Sequence, residues 1–173
     1  MGTGATWLWV GYRSCCCTDW SRQRALDLVT GAGFLPRGKV VRKSSGFELR
    51  LKRIRSLPDT VGPNMQVLII GLNPSPYSAD TGIGYGRPGN RFWPAALKAG
   101  LVSIDRDPRH ALSHHGVGMT DLVRRTTARA DEVERTEFEA GFERIERLVT
   151  CCRKFTAMYT RRRNGSGRAH LIP

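Results

Sequence analysis

Residues 67–102 read VLIIGLNPSPYSADTGIGYGRPGNRFWPAALKAGLV, and the fold follows from this stretch. VLIIGL (67–72) is a continuous apolar run, the pattern of a strand buried on both faces of a parallel sheet rather than on one. A long glycine-rich loop follows it. Asn73 leaves the carboxyl end of that strand and is fixed by Pro74, so it is set to point into the crevice where open α/β sheets bind ligands. The plain alternative at this position is an Asn-Pro turn with no chemistry, since such turns are common. Asn90 is suited to cap the next helix, in which Phe92, Trp93, Ala96 and Leu97 form an apolar face and Pro94 falls in the first turn. That helix stops near Gly100.

Downstream, residues 109–115 read as a short helix and GVGMTDLV (116–123) as an extended segment and turn. Thr136-Glu-Phe-Glu139 has the form of a capping box, and Phe138, Phe142, Ile145, Leu148 and Val149 follow at helical spacing. Residues 155–159 read as a strand, whereas RRRNGSGRAHLIP has no period and reads as a loose tail. Upstream, residues 19–33 place Ala25, Leu26, Leu28 and Val29 on one face of a helix ending at Gly31 and Gly33. GKVVRKSSGFELRLKRI (38–54) reads as two strands joined around Ser44-Ser45-Gly46, with Phe47, Leu49 and Leu51 alternating against Glu48, Arg50 and Lys52. SLPDTVGPN (56–64) is the boundary signal. The organisation expected is a basic helix-plus-hairpin appendage over 1–56, a core over 57–159 and a basic tail over 160–173.

The formal charge of +13 is unevenly placed. Residues 1–60 hold 11 Lys/Arg against 4 Asp/Glu, residues 61–150 hold 11 against 11, and residues 151–173 hold 6 against none. Basic arms around a neutral centre suit a protein that grips a polyanion while a shaped site acts on it. The simpler reading is solubility. No apolar run approaches the roughly 18 residues of a membrane span, and no basic leader precedes a long apolar stretch, so a cytoplasmic, DNA-associated location is expected. Cys15, Cys16 and Cys17, and the pair Cys151 and Cys152, lack the spacing of a zinc site, and their odd number argues against a disulfide framework. His110 and His114 are four apart, but no further ligand has matching spacing, and no metal site is expected.

Taken together, Gly71-Leu-Asn-Pro74, the Ser78-Ala-Asp-Thr-Gly82 loop and Pro88-Gly-Asn-Arg-Phe-Trp93 closely resemble the mismatch-specific uracil-DNA glycosylase and thymine-DNA glycosylase family. The likeness covers about residues 57–150. It implies a uracil-DNA glycosylase-like α/β three-layer sandwich with a short parallel sheet, here with a small N-terminal α+β appendage. It also implies a monofunctional glycosylase that hydrolyses the N-glycosidic bond of uracil, or of a mispaired pyrimidine, in double-stranded DNA and so starts base-excision repair. By the resemblance, Asn73 positions the attacking water, Leu72, Ser78 and Tyr85 line the base pocket, Tyr85 stacks on the flipped base, and Pro74, Gly82 and Asn90 support the loop. Phe92 and Trp93 belong to the core on burial preference. The implied partner is duplex DNA with a flipped-out base, bound by a monomer without metal or organic cofactor.

Two positions depart from the family pattern. Ser75 stands where the family often has glycine. The second family signature, an Asn-Pro-Ser-type loop that fills the gap left by the flipped base, has no counterpart in this sequence, and the chain reads as truncated or altered at its C-terminus. The alternative reading is therefore a catalytically impaired DNA-binding remnant. A dinucleotide-binding enzyme is a further formal alternative, because Gly84-Tyr-Gly86-Arg-Pro-Gly89 fits G-x-G-x-x-G. That fingerprint should follow its strand directly, yet Gly84 lies twelve residues beyond Leu72.

Overall fold

The apolar run is a strand, β4 (Val67–Gly71), and both of its faces are covered. In the computed structural model, which describes residues 6–11, 21–44, 46–62, 65–151, 156–160 and 169–172, Leu68, Ile69 and Ile70 are all at most 2% exposed. Ile69 packs with Trp93, Ala96, Val102, Ala111, Val117 and Met119. Leu68 and Ile70 turn the other way, onto Met65, Leu122 and Ile145. Apart from Val102, which lies between the two helices, the first group belongs to α3 (Phe92–Lys98), α4 (Pro108–His115) and β5 (Val117–Asp121), and Ile145 belongs to α5 (Arg135–Cys151). Helices thus lie on both faces of one sheet, the three-layer α/β arrangement expected.

That sheet runs β5-β4-β6-β7, with β6 at Thr156–Thr160 and β7 at Ala169–Ile172. β4 is parallel to β5 and to β6, whereas β7 pairs antiparallel with β6. The expectation of a loose tail is corrected at this point, because Ala169–Ile172 is a strand. Four residues are too few to show a hydrophobic period, and their pairing depends on an edge that β6 supplies.

A second sheet, antiparallel in the order β1-β3-β2, precedes the first: β1 (Thr6–Gly11), β2 (Phe34–Lys43) and β3 (Gly46–Arg53). Its hairpin is the one expected from the alternation of β3, and β1 adds a third strand on the other edge of β3. Phe47, Leu49 and Leu51 pack on Ala25 and Val29 of α1 (Arg22–Gly31), giving the N-terminal part a core of its own.

The segment between the two sheets is closely held. Thr60 forms an antiparallel bridge with Met119, exchanging N–H···O bonds of 2.8 and 2.7 Å along the outer edge of β5. Next to it, the Asp59 carboxylate takes Arg124 Nη1 on Oδ1 and Arg144 Nη1 on Oδ2, both at 2.8 Å, with all three side chains under 10% exposed. Arg124 Nη2 also donates to the carbonyls of Gly31 and Leu57, and Arg144 Nη2 to Thr120 Oγ1 and Asp121 O. The Asp59 N–H donates to Gly31 O at 2.8 Å. Two buried guanidiniums and one carboxylate therefore tie α1, β5 and α5 together.

This cluster also sets the rotation of α5. Phe142, expected on the apolar face, is 46% exposed. Arg144 turns inward instead, and a Cβ at Gly141 would collide with the Leu122 backbone carbonyl, so the helix lies against β5's continuation on its Gly141–Arg144 side. The expected capping box moves as well: Glu137, not Glu139, returns its carboxylate to a backbone N–H, that of Glu134 at 3.1 Å. Arg125 holds Glu137 there through two bonds of 2.9 and 2.7 Å. Among the described residues, no helix is long and apolar enough to cross a membrane.

Candidate active site at the carboxyl ends of the parallel strands

β4 and β5 end side by side, Gly71 paired with Asp121, and the chains beyond them stay joined. Leu122 N donates to Gly71 O at 2.8 Å, Val123 N to Leu72 O at 2.9 Å and Thr127 N to Pro74 O at 3.3 Å. Asn73 sits in this seam, half-buried. Its Nδ2 donates to Thr127 Oγ1 at 2.7 Å, with longer contacts of 3.4 Å to the carbonyls of Arg125 and Pro74.

Proton counting fixes which way this amide faces. The single hydroxyl hydrogen of Thr127 is spent on Arg129 O at 2.5 Å, so Thr127 Oγ1 can only accept from Asn73, and the nitrogen of the carboxamide must face it. Asn73 Oδ1 accepts no hydrogen bond from any described residue. A neutral amide held in this way is an oriented acceptor; it can align a water by taking one of its hydrogens, but it is no strong base.

The loop read as glycine-rich coil contains a short helix, α2 (Pro76–Thr81). Ser75 Oγ caps it by accepting from Ser78 N at 3.2 Å, Pro76 opens it, and Gly82 closes it at φ +72°. Ser75, the residue that departs from the family pattern, is thus used to start a helix. Ser78 is buried, and its Oγ accepts from Ser75 Oγ at 3.1 Å. Leu72 is half-buried at the strand end. Asn90 Oδ1 accepts from Phe92 N, the first helical N–H, at 2.9 Å; the N-cap position itself is Arg91, so Asn90 fastens the loop to α3 from one residue further out than the cap expected of it.

Tyr85 is one of two described non-glycine residues with positive φ, at +57°. One face of its ring stacks on Phe92, with centroids 4.5 Å apart. Its hydroxyl reaches the end of β4, where a Cβ at position 71 would fall 3.1 Å from Tyr85 Oη. The same Cβ would collide with Asp121 Oδ1, so glycine at 71 is what lets the phenol and the carboxyl share this place. Trp93 is fully buried and its Nε1 donates to Gly84 O at 2.8 Å, which holds the loop carrying Tyr85 down on the core.

Asp121 is the site residue that sequence reasoning missed. It is 7% exposed and its Oδ2 has no hydrogen-bond partner among the described residues. Burial pushes its carboxyl up to about 7, Asp59 raising it further while Arg124 and Arg144 pull it back. A group that changes charge near neutrality, at the strand end that the Tyr85 hydroxyl also reaches, marks a place where a polar ligand is read. The available signal was its position one residue before Leu122 at the end of a strand parallel to β4, and that signal needs the sheet order to be visible.

His110, His114 and His115 form no such centre among the described residues. His110 stacks on His114 at 4.0 Å, and His110 Nε2 and His115 Nε2 both reach Ser103 Oγ, at 2.9 and 2.8 Å. Among the described residues no three of His, Cys, Asp and Glu come together as metal ligands. The side chains of Cys15, Cys16, Cys17, Cys151 and Cys152 lie outside the described residues.

Comparison with known protein families gives a match over residues 58–160, more than half of the chain, to the Uracil DNA glycosylase superfamily. The matched span begins two residues before the Thr60 bridge and ends with β6.

Proposed function

The chain belongs to the uracil DNA glycosylase superfamily, and from that premise we propose that it is a monofunctional, mismatch-specific glycosylase acting on uracil or a mispaired pyrimidine in double-stranded DNA. The observation that carries this reading is the Asn73 carboxamide, turned by Thr127 so that its oxygen is left to hold a water at the edge of the parallel sheet. The target nucleotide leaves the duplex, because its C1′ is out of reach within the stack. Leu72, Ser78 and Tyr85 form the pocket that receives its base. As the C1′–N1 bond lengthens, its electron pair departs with the pyrimidine. The water aligned by Asn73 Oδ1 adds its oxygen to C1′, and its proton passes to solvent or to the released base. The products are an abasic deoxyribose and the free pyrimidine, and no cofactor enters the balance.

An amide this weak as a base leaves most of the acceleration to stabilising the departing anion. Asp121 bears on that term. Neutral, its carboxyl donates a hydrogen bond toward the pyrimidine edge; ionised, it repels the anion as it forms. Single-turnover cleavage of a labelled duplex containing one G·U pair, with protein in excess, tests the proposal. Alkali-sensitive breaks at the uracil are expected, with A·U cleaved more slowly. Asn73→Ala is expected to lower the rate by on the order of 10²–10³, as loss of one preorganised group does, while duplex affinity holds. Duplex binding without any breaks would instead favour the DNA-binding remnant.

A further inference from the structure

In the N-terminal sheet the apolar residues of β3 face α1, and the residues between them face away. Register places Arg37 directly opposite Arg50, Leu35 opposite Lys52 and Val41 opposite Glu48. Directly opposed residues of an antiparallel pair share a face, so Arg37, Arg50 and Lys52 stand together on the side turned from the helix. All three are exposed, as is Lys39 in the irregular stretch between Arg37 and Val41. The one acid on that face, Glu48, is engaged by Lys43 at 3.0 Å.

The four remaining cations have no carboxylate partner among the described residues. The contrast within the chain is sharp: Arg124, Arg125, Arg129, Arg135, Arg144 and Arg147, all the Lys and Arg between 120 and 150, each pair with an acid. Like charges set directly across a strand pair destabilise it, so the Arg37–Arg50 pairing is a standing cost that a bound polyanion would relieve.

The face is also held in a fixed place relative to the site. β3 continues through Ile54 to Arg55, whose Nε and Nη2 grip Asp80 of α2 at 2.8 and 2.5 Å. Ser56 Oγ and Thr126 Oγ1 bond across to Arg124 O and Arg55 O, joining the same segment to the loop that orients Asn73. At about 3.3 Å per residue, Arg50 and Lys52 lie roughly 10–17 Å along the chain from that anchor. A duplex presents a phosphate charge every ~1.7 Å of its axis, so one centred on the site passes many phosphates over this distance.

We propose that the outer face of the β2–β3 hairpin, with Arg37, Lys39, Arg50 and Lys52, binds the phosphate backbone of duplex DNA within about five base pairs of the flipped nucleotide. This rests on the glycosylase reading for its choice of duplex DNA. The test measures affinity for an undamaged 30-bp duplex against salt, for the full chain, Arg37→Gln/Arg50→Gln, and Lys98→Gln/Arg109→Gln, which removes the same charge elsewhere. The hairpin variant should reduce the slope of log K against log salt by about 1.8, two phosphate contacts at ~0.9 each. The control pair should leave both the slope and the G·U cleavage rate near those of the unmodified chain. Relief of the Arg37–Arg50 repulsion should leave the thermal midpoint equal or higher, so weaker binding cannot be laid to unfolding. Equal slopes in the two variants overturn the hairpin proposal while G·U cleavage by the unmodified chain upholds the glycosylase reading. Failure of the unmodified chain to bind any duplex overturns both.

Discussion

β4 and β3 both bury apolar side chains, yet they treat charge in opposite ways. β4 is covered on two faces, and the charged groups near its end, Asp59, Arg124 and Arg144, are buried and bonded to one another. β3 is covered on one face, and the cations on the other stand exposed beside a second strand of cations. Burying an ion is costly unless it is paired, so the core admits charge only in closed sets. An exposed strand face carries no such penalty and can keep its charges for a partner. The Asp59 cluster holds the two parts together through Gly31 at the end of α1.

The largest expected effect breaks that joint. Asp59→Ala would leave two guanidiniums buried without their carboxylate, a change that costs about 3–5 kcal/mol. It should appear as a much lower urea midpoint, whereas Arg50→Gln on the open face should stay within about 0.5 kcal/mol of the parent. Similar midpoints for the two variants would show that the cluster is no joint.

Next in size is the pH dependence of Asp121. Burial disfavours the charge and pushes its native carboxyl up to about 7 from the ordinary 3.8. Between those values the native state keeps a proton that the unfolded chain has released. Its contribution is therefore full below about pH 4, falls by about 1.4 kcal/mol per unit as pH rises toward 7, and is level above. Asp121→Asn should flatten that fall in a urea series from pH 4 to 8. Its cleavage rate should also lose the decline that the parent shows as pH rises through 7, whereas an identical decline in the variant would remove Asp121 from the reaction.

A smaller effect is expected at Thr127, which acts through Asn73. Thr127→Val keeps the shape but removes the acceptor for Nδ2, so the amide loses its fixed orientation. The single-turnover rate should fall about tenfold, roughly 1.4 kcal/mol of barrier, while Thr127→Ser restores it. A still smaller change tests Glu137, whose carboxyl Arg125 holds down at about 2. That pair's contribution is present above about pH 4.5 and is lost as pH falls through 2, so Glu137→Gln should lower stability slightly at pH 7 and by much less at pH 2.

Much of this architecture was legible in local sequence. A run of six apolar residues means a two-faced strand, alternation means a one-faced strand, and Asn73 at the end of the first falls at the edge where α/β sheets do their chemistry. α2 was not read because six residues carry no helical period, although its Ser75, Pro76 and Gly82 are a start and a stop. Phe142 was placed on the wrong side of α5 because periodicity assumes that apolar residues choose the face. Here Arg144 and Gly141 chose it.

The sequence by itself therefore determined the kind of sheet, the separate hairpin and the position of the candidate amide, since each depends on spacing within a few residues. Only the tertiary structure decided which way that amide faces, that Asp121 is buried opposite Gly71 at the end of the neighbouring strand, and that Asp59 meets an arginine 85 positions away. Those facts depend on which distant groups share a low-dielectric interior, where every proton and every charge must find a specific partner, and no local pattern records that choice.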